Sequence, residues 1–221
     1  MILLLGKNGM LGRTLEKELE QGSFKYIAWG REELDVTNKK SVHEKMSEHS
    51  PEIVINATGY TNVDGAEEDQ EAAFAINAQA PEYLATTCGE IGAHLVHFST
   101  DYVFDGTVKK GYTEDDTEHI GPLNVYGDSK LKGEEEIRNL KLEIEDFKYY
   151  IIRTSWLYGK GGKNFVDTML ALAKDKPELK IVNDQFGKPT HTQDLAKRTL
   201  WMLAHKKDLE SGIYHVTNET P

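Results

Sequence analysis

The sequence has a single cysteine, Cys88, so no disulfide can close within the chain, and this content fits a reducing cytoplasm. It has no apolar run near the ~20 residues that a membrane-crossing helix needs. Ile2-Leu3-Leu4-Leu5 follows Met1 directly, without a basic stretch or a small-residue cleavage site, and reads as a first buried strand, not a signal peptide. Positive charge is in the minority: 26 Lys and Arg against 37 Asp and Glu give a formal net charge of −11. That balance argues against general nucleic-acid binding and against anionic membranes. It leaves room for a nucleotide held by a helix N-terminus and one arginine. His94 and His97, three apart on a strand, point to opposite faces, and the other histidines show no ligand spacing, so no metal site is readable. Internal repeats, low-complexity segments and an interdomain linker are also lacking.

What is present is an alternation. A chain of 221 residues with 38% hydrophobic and 29% charged content is long enough for a sizeable soluble core. Apolar, β-rich runs fall at residues 2–5, 26–29, 53–55, 94–98, 149–152, 180–182 and 213–216. Segments of helical character lie between them, at 10–20, 41–48, 71–91, 164–173 and 194–204. Short buried strands separated by helices predict an α/β fold, a Rossmann-like doubly wound parallel sheet with helices on both faces. Residues 1–221 are expected to form a single NAD(P)-binding domain, with the chain from about residue 156 onward contributing to the substrate side.

Gly6-Lys7-Asn8-Gly9-Met10-Leu11-Gly12 sets glycines three apart between the first strand and the first helix. Missing Cβ atoms let a pyrophosphate approach the backbone, and the helix N-terminus supplies free N–H groups. Glycine spacing alone is a weak signal; its placement after a first strand strengthens it. At the end of the second strand an acidic residue would suit the ribose of NAD, whereas arginine suits a 2′-phosphate. Trp29-Gly30-Arg31 has the arginine, which leans the reading to NADPH with NADH tolerated, although Arg31 could equally be a surface residue. Asp35 and Val36 are candidates for the adenine pocket; helix capping by Asp35 or Thr37 is the alternative. Thr58, Gly59 and Tyr60 end the third strand, where a cofactor would cross the sheet. Asp64 and Glu67 either cap the next helix or stand near the substrate, and Asn77, a mediocre helix former, suggests an inward polar contact.

Thr100 and Asp101 end the fourth strand, facing the same crevice; a hydroxyl there can polarise a substrate carbonyl. Residues 126–130 read Tyr-Gly-Asp-Ser-Lys. Four apart on a helix, Tyr126 and Lys130 share a face, and an ammonium beside a phenol is expected to lower its pKa. The pair can then hand a proton to a developing alkoxide. Taken alone, this spacing is common on helix surfaces. The acidic cluster Glu114-Asp115-Asp116 reads as a solvated loop.

The glycine loop, the Ser-Thr-Asp strand end and the Tyr-x-x-x-Lys helix occur in the order of the extended short-chain dehydrogenase/reductase family. More narrowly, residues 60–67, 99–106 (STDYVFDG), 122–134 (PLNVYGDSKLKGE), 153–159, 189–196 and 212–218 resemble the dTDP-4-dehydrorhamnose reductase family. That resemblance implies Tyr126 as general acid, with Lys130 its partner, bonded also to the nicotinamide ribose. It implies Thr100 on the keto oxygen of a dTDP-sugar, Asp101 beside it, and Trp156 as a substrate contact, unless Trp156 is a core tryptophan. Gly9 to Leu11, Asp35, Val36 and Thr58 to Tyr60 match cofactor positions. The implied reaction is reduction of dTDP-4-dehydro-L-rhamnose to dTDP-L-rhamnose. Gly59 stands where related sequences often carry alanine, an exchange expected to be harmless. Relatives continue past Pro221, so the small C-terminal substrate region is expected to be incomplete, at more cost to turnover than to cofactor binding. Homodimers occur in the family, some through magnesium held by carboxylates; no such ligands are identifiable here. Two rival readings remain. A dehydratase or epimerase of the same fold would be expected to carry an acidic residue where Tyr102 stands. A non-catalytic NADP-binding subunit, resembling that of methionine adenosyltransferase, would not need Thr100, Tyr126 and Lys130.

Overall fold

The computed structural model describes residues 1–219. Six strands form one parallel sheet: β1 (Ile2–Leu5), β2 (Tyr26–Trp29), β3 (Ile53–Asn56), β4 (His94–Thr100), β5 (Tyr149–Thr154) and β8 (Gly212–His215), in the order β2-β1-β3-β4-β5-β8. Alternate residues of each strand feed two separate cores. Leu3, Leu5, Val54, Leu95 and Ile151 pack against α2 (Lys39–His49), α5 (Ala80–Ile91) and α6 (Val125–Glu143). Ile2, Leu4, Ile55, Val96 and Ile152 pack on the other face, against α1 (Met10–Gln21) and α8 (Thr192–Ala204). Burial on both faces is why these strands read as continuous apolar runs and not as alternation. Each fully buried Leu or Ile contributes roughly 1.5–3 kcal/mol, so the sheet centre is the most stable part of the molecule. The order reverses at β1, which neighbours both β2 and β3, and a crevice opens there beyond the carboxyl ends of the strands.

Three elements depart from the expectation. Residues 180–182 form no strand: Ile181 and Val182 are 53% and 67% exposed and have no ladder partner. A second, two-stranded parallel sheet, β6 (Leu157–Tyr158) with β7 (Thr190–His191), was not anticipated; α7 (Phe165–Asp175) lies between them in the chain. The helix expected over 71–91 is divided, with α3 (Val63–Glu68) before it, into α4 (Gln70–Phe74), a single π turn (Ala75–Gln79) and α5. Among the described residues no helix is long and apolar enough to cross a membrane.

Candidate active site

The glycine loop joins β1 to α1. Gly6 has φ +85°, a region that favours glycine, and its N–H donates to Trp29 O at 2.9 Å. A Cβ on Gly12 would stand 2.0 Å from Gly6 O, so the first turn of α1 lies directly on the loop. Asparagine side chains cap α2, α3, α6 and α7 (Asn38, Asn62, Asn124 and Asn164), but Gly9 offers α1 no cap. The first-turn N–H groups of α1 are thus left for an anionic group, the arrangement a pyrophosphate needs. Met10 and Leu11 offer this loop only their backbone, because the Leu11 side chain is in the core and Met10 lies against Gly162.

From this loop a cleft of about 280 Å³ runs between the ends of β1, β2 and β3, bringing together Gly6, Gly9, Arg31, Asp35, Val36, Thr58 and Gly59. The Arg31 side chain is 83% exposed at the rim, 3.6 Å from Asp35 Oδ2. Asp35 Oδ1 accepts from Thr37 N at 3.0 Å and Thr37 Oγ1 at 2.7 Å; these bonds hold its carboxyl below the usual range. Asn38, not Asp35 or Thr37, caps α2, accepting from Ser41 N at 3.0 Å. Glu33 was missed in the sequence: it takes the Gly30 N–H at 2.8 Å and pairs with Lys7, fixing the turn after β2. A Cβ on Gly59 would meet only ordinary contacts, the nearest Asn77 Oδ1 at 3.5 Å, so alanine fits there as expected.

The crevice continues to the end of β4. Thr100 Oγ1 donates to Asp101 Oδ1 at 3.2 Å and accepts the Tyr102 N–H at 3.2 Å. Burial raises the Asp101 carboxyl above its ordinary value, with the Thr100 bond opposing. Helix α6 carries Tyr126 and Lys130 to this point. Its N-terminus is fixed twice, by the Asn124 cap on Gly127 N at 2.8 Å and by Glu67 Oε1, which accepts from Val125 N at 2.8 Å. Glu67 therefore caps a helix, though not the one that contains it; Asn62 caps α3.

Tyr126 packs edge-on to Tyr102, ring centroids 5.6 Å apart. Its phenol is pushed up to about 12 by burial, with the Thr100 hydroxyl acting in the opposite direction. The expected lowering by Lys130 is not found. Lys130 is seated elsewhere, its Nζ donating to Phe98 O at 2.5 Å and standing 3.4 Å from His97 Nε2, and burial lowers it to about 8. Desolvation wins because the ammonium is spent on a backbone carbonyl and not on the phenol.

Asn77 makes the inward contact foreseen for it. In the π turn its Oδ1 accepts Tyr60 N at 2.9 Å, and its Nδ2 donates to Tyr60 O and to Ser129 Oγ, both at 3.0 Å. Ser129 Oγ donates in turn to Tyr126 O at 2.8 Å. One amide thus ties the strand end beneath the cleft to the helix that carries the tyrosine. Deeper, Arg153 of β5 forms a bidentate pair with Glu134 of α6 (Nη2 to Oε2 2.7 Å), and Ser99 Oγ donates to Glu134 Oε1 at 2.5 Å. The sequence held a signal for this pair: Glu134 continues the i, i+4 face of Tyr126 and Lys130.

Trp156 is not a core tryptophan. It is 40% exposed, has φ +46° and lies over Gly187 beyond the end of β5. The acidic loop is solvated as expected, with Glu114 and Asp115 exposed, and two of its carboxylates also have partners: Glu114 accepts the His215 N–H at 2.9 Å, and Asp116 holds His119 at 2.9 Å. Among the described residues no group of three or more His, Cys, Asp or Glu is placed to hold a metal ion.

Across its whole length, residues 1–221, the chain matches the family described as RmlD substrate binding domain. It belongs to the dTDP-4-dehydrorhamnose reductase family. Its relatives include the spore coat polysaccharide biosynthesis protein SpsK of Bacillus subtilis, 42% identical over 98% of this chain and 73% of that protein. A dTDP-4-dehydrorhamnose reductase of Streptomyces griseus is also 42% identical, over 98% of this chain and 70% of its own. Among solved structures, a dTDP-4-dehydrorhamnose reductase of Clostridium acetobutylicum superposes with a TM-score of 0.91 at 42% identity, covering 99% of this chain and 74% of that one. The Bacillus anthracis reductase, solved in complex with NADP, gives a TM-score of 0.90 at 39% identity, covering 99% and 74%. A UDP-glucose 4-epimerase of Brucella ovis at 17% identity (TM-score 0.81) shares the fold alone.

Proposed function

We propose that this chain is an NADPH-dependent reductase that adds hydride to C4 of dTDP-4-dehydro-L-rhamnose, giving dTDP-L-rhamnose for polysaccharide precursor synthesis. The observation that carries the reading is that Tyr126 faces Thr100 at the carboxyl end of β4, with Lys130 one turn along α6 on Phe98 O, next to the cleft headed by the uncapped α1. When bound, the cofactor supplies the hydride. The first-turn N–H groups of α1 would hold its pyrophosphate, and Arg31 would take the 2′-phosphate. The Thr100 hydroxyl, turned from Asp101, donates to the keto oxygen and polarises it. Tyr126 then delivers its proton to that oxygen, and Lys130, released from Phe98 O, faces the resulting phenolate. Trp156 borders the sugar.

The first test is the loss of NADPH absorbance on adding dTDP-4-dehydro-L-rhamnose. Turnover is expected; bound NADPH without turnover removes the reductase reading in favour of a binding subunit. A second test concerns the coenzyme. Arg31→Ala should weaken NADPH about tenfold, the worth of one charge-assisted hydrogen bond, and leave NADH unchanged. Equal losses for both coenzymes would remove Arg31 from the phosphate site.

A further inference from the structure

His97 of β4 is fully buried between Asn56 of β3 and Lys130 of α6, and no step of the proposed reduction uses it. Its surroundings determine which ring nitrogen carries the proton. Asn56 Oδ1 accepts from Thr58 N at 3.1 Å and from Thr58 Oγ1 at 2.6 Å. A backbone N–H only donates, so the amide oxygen must face Thr58 and the amide nitrogen must face His97. That nitrogen lies 3.0 Å from His97 Nδ1 and has only hydrogens to offer. Nδ1 therefore carries the lone pair, and in the neutral ring the proton sits on Nε2. The ring does stay neutral: burial holds its pKa well below the ordinary value.

The Nε2–H so fixed points at Lys130 Nζ, 3.4 Å away. An ammonium has no lone pair to receive it; only the neutral amine does. Phe98 O is then the one acceptor seating the lysine. The other charged or titratable groups facing Lys130 do not supply a second. Glu134, one turn along α6, is committed to Arg153 and Ser99, and Tyr126, one turn back, is directed to Thr100. Asn56 at the end of β3 and Thr58 just beyond it are neutral and engaged with each other, Asn56 also with His97.

We infer that His97 is a positioning residue for Lys130: locked by Asn56 as its Nε2–H tautomer, it turns an N–H toward the lysine nitrogen and keeps it from settling as a fixed ammonium on β4. The lysine is thereby held ready to turn toward Tyr126 and the cofactor. The chain Thr58–Asn56–His97–Lys130 also links the strand end under the cofactor cleft to the proton-transferring pair. Its catalytic meaning rests on the reductase reading; its chemistry does not.

Two measurements on the full chain test it. With 15N-histidine labelling, the unaltered protein should show His97 as a Nε2–H tautomer that does not titrate between about pH 5.5 and 8.5, where ordinary histidines do. A Nδ1–H tautomer overturns the inference, with no variant required. In the second, His97→Asn keeps an acceptor for Asn56 and removes the N–H facing the lysine. The titration midpoint of Lys130, followed by the 13C shift of its Cε, should rise by about one pH unit, and the alkaline limb of kcat/KM should move up with it. A fall in kcat at every pH with an unmoved lysine midpoint would show a packing role only and overturn the inference. A moved midpoint in a protein that never turns over would instead count against the reductase reading and leave the histidine's role standing.

Discussion

Tyr126→Phe is expected to lower kcat by roughly 10²–10⁴-fold, the usual worth of a positioned acid, while NADPH affinity stays within about threefold. The phenylalanine ring keeps the edge contact with Tyr102 and removes only the hydroxyl facing Thr100. The pH dependence comes from the same burial. A phenol pushed up to about 12 remains protonated through the neutral range, so the forward reduction has its proton donor loaded at pH 7. Oxidation of the product alcohol needs the phenolate, so its rate should climb with pH over the range where reduction is flat. Steady-state kinetics in both directions check this. Turnover unchanged in the phenylalanine variant removes Tyr126 from the chemistry.

Arg153→Ala should cost about 3–5 kcal/mol of stability, because it leaves Glu134 charged and buried with only the Ser99 hydroxyl to answer it. Breaking such a pair is far worse than replacing both members. The double variant Arg153→Met with Glu134→Leu, similar in volume and apolar, should recover most of the loss. Urea unfolding of the three proteins measures both effects. A single-variant loss under about 1 kcal/mol would mean that the pair does not hold α6 on β5.

Where one residue's chemistry determined its place, the sequence was a sufficient guide. Ile2 to Leu5 read as a strand buried on both faces, and the glycines three apart directly after it pointed to a close approach. The same holds for Asn77, whose poor helix propensity announced an inward bond. What escaped depends on partners distant in the chain. Ile181 and Val182 have strand chemistry, but propensity without a neighbouring ladder yields an exposed loop. The strands at 157–158 and 190–191 are too short to show any period. The lysine's seat on Phe98 O, and with it the raised phenol, arises from a packed interior in which the shared helix face of Tyr126 and Lys130 is only one contribution. Glu67 caps, yet not the next helix as expected: it takes an N–H of a helix 58 residues along the chain.

The π turn at residues 75–79 stores the geometry of this site as a count. Such a turn holds one residue more than the α turn it replaces. Ile76 lines the cleft, but deleting Ala78 or Gln79 would leave every functional side chain in the protein untouched. It would also let the helix run through as regular α: the turn closes the same full rotation with one residue fewer, so the flanking segments keep their faces and only the residues of the turn are re-aimed. Leu84, Ala85 and Cys88 anchor the later part in the core, so Asn77 would move into the next position of the helix and turn off Tyr60 and Ser129. Along this stretch, then, a change of length does the work of a change of letter. Asn77→Ala removes three hydrogen bonds, whereas a shortened turn separates the cofactor strand from the catalytic helix with its residues all present.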